Sequence, residues 1–328
     1  MTIEVSRRRV LAGGLATAGA LALPTLGHAQ AWPTKDLKII VGFPAGGLTD
    51  LFARAYGEHI AQRLGRAVLV ENKAGAGGIL GAQAVKAAPP DGHTLGFTIA
   101  TTLIMNRVLY KELPYDPDKD FVLISSMNAG QLPFVVHKST GAKTLKEFFD
   151  WAKTNKATYG TYAAGSYAHI AIEELNKHFG TKIEVVHYRG EAPMWQDFNA
   201  GAIQAASGSF QAASGVLQSG TGVPVAVPQR RSRPLPNVPT FMEQGVDRPI
   251  FRLRGFIGLI GPAGMPQAAV EQLSALMVEG GKSERVQKLL ETYGVDEAAQ
   301  DHVSFRKLYD EEKPVWIEQV KALGLTPQ

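Results

Sequence analysis

The sequence predicts an α/β fold of two lobes with a cleft between them, and three observations carry that expectation. From Lys38 onward, short apolar segments alternate with stretches of helical periodicity, the pattern of a sheet built largely from parallel strands with helical crossovers. The alternation runs twice, the two series being separated by a longer connection made of strand. At 328 residues, 45% of them hydrophobic, the chain is long enough to bury two cores.

In the first series, strands are expected at 37–43, 67–71 and 94–99, with helices from Thr49 and over 78–87 between them. Pro89-Pro90-Asp91-Gly92 is a turn before the third strand. Segments 121–126 and 134–137 form the strand connection. The second series places strands at 159–162, 182–187, 202–207 and 223–227, with helices over 166–179 and 193–199. A Pro/Arg-rich loop, 228–239, leads to a last strand at 256–260. Helices near 267–279, 283–293 and 302–323 close the chain, and Pro314 should kink or restart the last of them. The expected division is 30–127 with 253–328 in one lobe and 128–252 in the other, with hinges near 126–128 and 253–256. Ligands of open α/β sheets sit beyond the carboxyl ends of the strands, here in the cleft.

Composition excludes several function classes. The formal net charge is only +4 and no basic run could track a nucleic acid. There is no cysteine, hence no disulfide, thiolate metal site or cysteine nucleophile. The histidines are scattered without metal-ligand spacing, so no metal or cofactor is expected. At the N-terminus, Arg7-Arg8-Arg9 precede an apolar run over 10–23, then Pro24, with small residues Gly27 and Ala29 at the spacing of signal cleavage. The arginine pair after Ser6 suggests the twin-arginine route over a plain Sec signal. The run is shorter than the roughly 20 residues of a spanning helix. Cleavage after Ala29 would lower the net charge to +2 and release a soluble protein beyond the inner membrane.

Three motifs could carry chemistry. In Phe43-Pro44-Ala45-Gly46-Gly47-Leu48-Thr49-Asp50, two glycines join a strand to a helix. With Thr49 as N-cap, bare backbone N–H groups there could receive an anion; a tight connection with no ligand is the other reading. Asp50 should turn inward and order the loop, since facing the anion it would repel it. Lys73-Ala74-Gly75-Ala76-Gly77-Gly78-Ile79-Leu80-Gly81 imitates a dinucleotide fingerprint, but Leu80 stands at the third glycine position, so backbone turning is the better account. Ala163-Ala164-Gly165-Ser166-Tyr167-Ala168-His169 joins strand to helix again. It offers a second set of donors or, alternatively, a Ser166 nucleophile with His169 as base. There is no G-x-S-x-G elbow and no third partner, which favours a capping or packing role for His169.

Together with Trp32-Pro33-Thr34-Lys35, Val70-Glu71-Asn72-Lys73, Ala88-Pro89-Pro90-Asp91-Gly92-His93, Leu113-Pro114-Tyr115-Asp116-Pro117 and Leu235-Pro236-Asn237-Val238-Pro239-Thr240, these landmarks resemble the Bug-type solute receptors of tripartite tricarboxylate transporters over essentially the whole mature chain. The resemblance implies a type II periplasmic binding protein, with a mixed, mostly parallel sheet in each lobe, that closes on a small organic carboxylate, aliphatic or aromatic, and delivers it to a membrane permease. It also implies a ligand site made of Phe43, Ala45, Gly46, Gly47, Thr49 and Asp50 on one loop and Ala164, Gly165, Ser166 and His169 on the other. Thr101 and Thr102 would line the cleft, and Ser207, Ser209 and Phe210 would face the far end of the ligand. Two departures stand out. Ala163-Ala164-Gly165 replaces the family's usual Gly-Asn-Gly, and Ser207-Gly208-Ser209-Phe210 brings no carboxylate to the far end. The second favours plain organic acids over amino acids. Arg189 and Glu191 are expected on the solvated surface or at a lobe-closure contact. A monomer is the default for a closing receptor. A periplasmic hydrolase using Ser166 and His169, and a receptor signalling to a membrane kinase, are the alternatives.

Overall fold

The computed structural model describes residues 32–328, of which Lys35–Gln328 form one compact unit. The expected export signal, 1–29, lies outside the described residues. The first sheet contains β1 (Leu37–Val41), β2 (Val68–Asn72), β3 (Thr94–Ile99), β4 (Phe121–Asn128) and β10 (Phe256–Pro262), in the order β2-β1-β3-β10-β4. The second contains β5 (Phe134–His137), β6 (Thr158–Thr161), β7 (Glu184–His187), β8 (Ala205–Ser207) and β9 (Gly222–Ala226), in the order β7-β6-β8-β5-β9.

The two orders are the same pattern. In each sheet the first three strands are parallel, and one antiparallel strand is inserted before the last: β10 in the first sheet, β5 in the second. Each inserted strand is the first one the chain forms after crossing from the other lobe. The crossings therefore run through 129–133 and 227–255. Residues 126–128, expected at a hinge, belong to β4 itself.

Strands with both faces covered read as continuous apolar runs, and β10 is buried at every position. Helix α1 (Leu48–Leu64) follows β1, and α2 (Ile79–Lys86) follows β2. The glycine-rich stretch from the end of β2 into the first turn of α2 allows close backbone approach. A Cβ on Gly81 would lie 2.7 Å from the Cα of Gly42, and one on Gly78 would lie 2.3 Å from Thr102 Oγ1. Residues 101–109, including the short helix α3 (Asn106–Leu109), wind helically behind β3.

Helix α4 (Leu145–Ala152) is missing from the sequence expectation, although Thr144 and Glu147 form a capping pair, the Thr144 hydroxyl accepting from Glu147 N at 3.2 Å. Its Phe148 and Phe149 pack on Phe134, which stacks on Tyr159 at 5.2 Å, and this aromatic group forms the second lobe's core. Helices α5 (Tyr167–Phe179), α6 (Glu191–Asn199) and α7 (Phe210–Gln218) complete that lobe; α7 too is absent from the sequence expectation. Helices α8 (Gln267–Gly280), α9 (Glu284–Thr292) and α10 (His302–Lys321) return to the first.

α10 runs on through Pro314, so of the expected kink or restart the restart does not occur. Buried partners hold its flanks on both sides. Glu312 accepts from Arg254 N at 2.5 Å, Gly255 N at 3.2 Å and Trp316 Nε1 at 3.1 Å. These contacts offset the lost helical bond and tie the entry of β10 to α10.

Candidate functional site

A cavity of about 420 Å³ lies between the two sheets. The first lobe contributes Gly46, Gly47, Leu48, Thr49 and Thr101, and the second Tyr162, Tyr167, Glu191 and Ser209. The crossings add Gly130, Gln229 and Arg254, and Trp316 and Tyr293 complete an aromatic wall.

Its first-lobe floor is the start of α1. The cap position is Gly47, not Thr49, which is already in the first turn. A glycine cap has no side chain to satisfy the first-turn N–H groups. Those of Leu48 and Thr49 are thus left for water or a guest, in a partial positive field suited to an anion.

Beneath this turn sits Asp50, only 2% exposed. It accepts from Gly46 N at 2.9 Å, Asn72 Nδ2 at 2.9 Å and Arg54 Nε at 3.1 and 3.0 Å. Asn72 also donates to Phe43 O at 3.0 Å, and its own carbonyl accepts from Arg54. Burial pushes the Asp50 pKa up, but the bonds from Arg54, Gly46 and Asn72 outweigh it and the net shift is downward. Asp50 therefore stays ionised and fixes the loop. Its charge is matched by Arg54, and the Gly46 N–H is occupied by Asp50.

The opposite turn is arranged differently. Ser166 caps α5, its hydroxyl accepting from His169 N at 3.4 Å, and Gly165 N donates to His169 Nδ1 at 3.1 Å. This network assigns His169 as the Nε2–H tautomer. The turn's donors at Gly165 and His169 are engaged internally, and the flanking Tyr162 and Tyr167, rather than Ala164, Gly165, Ser166 or His169, line the cavity. Ser166 Oγ meets the backbone of His169, not its ring, so the two are not set as nucleophile and base.

His169 is buried and its ring centre lies 4.4 Å from that of His187. Burial and then His187 lower its pKa from 6.5 to about 4. Between those values the unfolded chain takes up a proton that the folded chain refuses, so stability is lost as pH falls from about 6.5 to about 4. Denaturant titrations across that range are expected to lose up to about 3 kcal/mol, and His169→Gln should flatten the slope. An unchanged slope in the variant would remove His169 as its source.

The remaining expected residues are dispersed. Thr102 is fully buried and donates to Gly77 O at 2.9 Å; Ser207 is fully buried in β8. Ala45 is exposed, Phe43 packs where a Gly78 Cβ would be, and Phe210 lies beside Gly294 of the first lobe. Thr101 and Ser209 reach the cavity.

Glu191 overturns one sequence inference. It is half-buried rather than freely solvated, and the far end does hold a carboxylate. Ser209 N donates to Glu191 Oε1 at 2.7 Å and Ser209 Oγ to Oε2 at 2.6 Å. A signal was available in its place, since Glu191 follows β7 at the carboxyl edge of a sheet, where ligands collect. Arg189 is exposed, as expected of a surface residue.

Comparison with known proteins gives a consistent picture. The family model described as "Tripartite tricarboxylate transporter family receptor" matches residues 52–325. A UPF0065 protein from the tcbD-tcbE intergenic region of Pseudomonas sp. (strain P51) is 29% identical over 318 residues, covering 95% of this chain and 93% of that protein. The structure of R. palustris Rpa4515 with adipate is 26% identical with a TM-score of 0.78, covering 90% of this chain and 100% of the other. MatC from Rhodopseudomonas palustris with bound malate is 27% identical with a TM-score of 0.70, covering 88% and 100%.

Proposed function

The chain belongs to the tripartite tricarboxylate transporter receptor family, the Bug-type periplasmic solute-binding proteins, and from that premise we propose that it captures a small organic carboxylate by lobe closure and delivers it to a membrane permease. The observation that carries the reading is the uncapped start of α1, with Gly46, Gly47 and Thr49 on a cavity between the lobes. Support also comes from relatives whose structures contain adipate and malate.

In this reading a carboxylate accepts from the Leu48 and Thr49 N–H groups, and charge-assisted bonds of this kind exceed neutral ones in strength. Asp50 holds the turn in shape without contacting the guest. Tyr162, Tyr167 and Trp316 cover its apolar body. Bending at 129–133 and 227–255 brings the second lobe down, and the ligand favours the closed state by its difference in affinity for the two. The first 29 residues act as the export signal. Receptors of this family are not enzymes, and the Ser166–His169 arrangement suits a helix cap.

Calorimetric titration with aliphatic mono-, di- and tricarboxylates and aromatic acids tests the reading. Saturable one-to-one binding by at least one class is expected. Silence across the whole panel would contradict it.

A further inference from the structure

Glu191 is the first residue of α6 and its side chain borders the cavity across from the start of α1. Both its named partners are groups of Ser209, at 2.7 and 2.6 Å. The Ser209 hydroxyl already accepts from Ala212 N at 3.3 Å as the cap of α7, which directs its proton toward Glu191. The Ser209 N–H is a fixed donor. Both carboxylate oxygens are thus held as acceptors. Each oxygen can accept twice, so capacity remains on both after Ser209 is served. Gly208 keeps the space open: a Cβ there would lie 3.0 Å from Glu191 Oε1.

This is a prepared acceptor on the second lobe's side of a cavity whose first-lobe side is a prepared donor. We infer that Glu191 selects ligands whose remote end donates a hydrogen bond, an ammonium or hydroxyl group, over dicarboxylates of the same length. The inference rests on the carboxylate-binding reading above and adds the chemistry of the ligand's second end. Burial pushes the Glu191 carboxyl pKa up and the bonds from Ser209 oppose that shift; where Glu191 is ionised, a second carboxylate would face it as a like charge. An ammonium would gain a charge-assisted bond there.

The test is calorimetry on the intact mature protein at neutral pH with matched acids of four, five and six carbons. Each length is offered as the plain monocarboxylate, the α,ω-dicarboxylate, the ω-hydroxy acid and the ω-amino acid. A donor-ended acid is expected to bind at least about tenfold tighter than the dicarboxylate of its length. Glu191→Gln should weaken the ω-amino acid by about tenfold or more and bring the dicarboxylate level with it. Ser209→Ala, which frees the carboxylate, should erode the same preference to a smaller degree, and thermal melts check that both variants fold. Tighter binding of dicarboxylates by the wild type, with the same ranking in Glu191→Gln, would overturn the role of Glu191 while leaving carboxylate capture intact. Failure of every acid, plain monocarboxylates included, would overturn both.

Discussion

Replacing Asp50 by alanine is expected to destabilise the protein by about 2–3 kcal/mol and to weaken carboxylate binding by at least about tenfold. Removing one member of a buried charged network is costly because the remaining polar groups lose their partner. Here the Gly46 N–H and the Asn72 amide would each lose an acceptor at 2.9 Å. Arg54 softens the loss, since its side chain is 40% exposed and can turn to water. The binding effect arises at one remove. Asp50 and Asn72 together hold Gly46 and the Phe43 carbonyl, so without them the turn that presents Leu48 and Thr49 is no longer preorganised. Asp50→Asn keeps the shape and loses the charge, and should fall between wild type and alanine in both respects. Denaturant melts and calorimetry read the two effects separately. Full affinity in Asp50→Ala would show that the loop orders without its anchor.

Gly78→Ala should be comparably damaging, at about 3 kcal/mol, for two reasons that can be separated. Its φ of +89° is a left-handed conformation that costs an L-residue roughly 1–2 kcal/mol. The new Cβ would also lie 2.3 Å from Thr102 Oγ1 and 3.1 Å from Phe43 Cζ, and overpacking of this kind costs about 1–3 kcal/mol. Gly46→Ala is the control, with a φ of +81° and nothing within 4 Å of the added carbon. It should show the conformational cost alone. The clash behind Gly78 also pushes on Thr102, whose neighbour Thr101 lines the cavity, so affinity should fall as well. Equal melting shifts in the two variants would mean that Thr102 gives way freely.

Much of the architecture was readable from local pattern, and what was not depended on distant residues. β3 and β5 fall at the positions their apolar runs mark, and α5 begins one residue after the Ser166 that caps it. The antiparallel insertion of β5 and β10 was not readable, because it records a crossing between lobes rather than a local preference. α4 was readable from Thr144 and Glu147 but is short and follows directly on a strand connection.

The site divides in the same way. The bare glycines after β1 and the inward turn of Asp50 follow from local electrostatics. The arginine and asparagine that hold Asp50 come from one helical turn onward and from the end of β2, and only the second needs the sheet to find it. Glu191 meets Ser209 because α6 packs against α7, which no spacing in the sequence announces. The second turn departs from expectation because the imidazole of His169 folds back onto Gly165.

A crystal structure of the protein with the tightest-binding acid of the matched series tests the central claim most directly. The account predicts one carboxylate at the start of α1, its oxygens about 3 Å from the Leu48 and Thr49 nitrogens, with Asp50 still bonded to Gly46 and Arg54. A ligand held by side chains elsewhere in the cavity, with that helix end filled only by water, would contradict it.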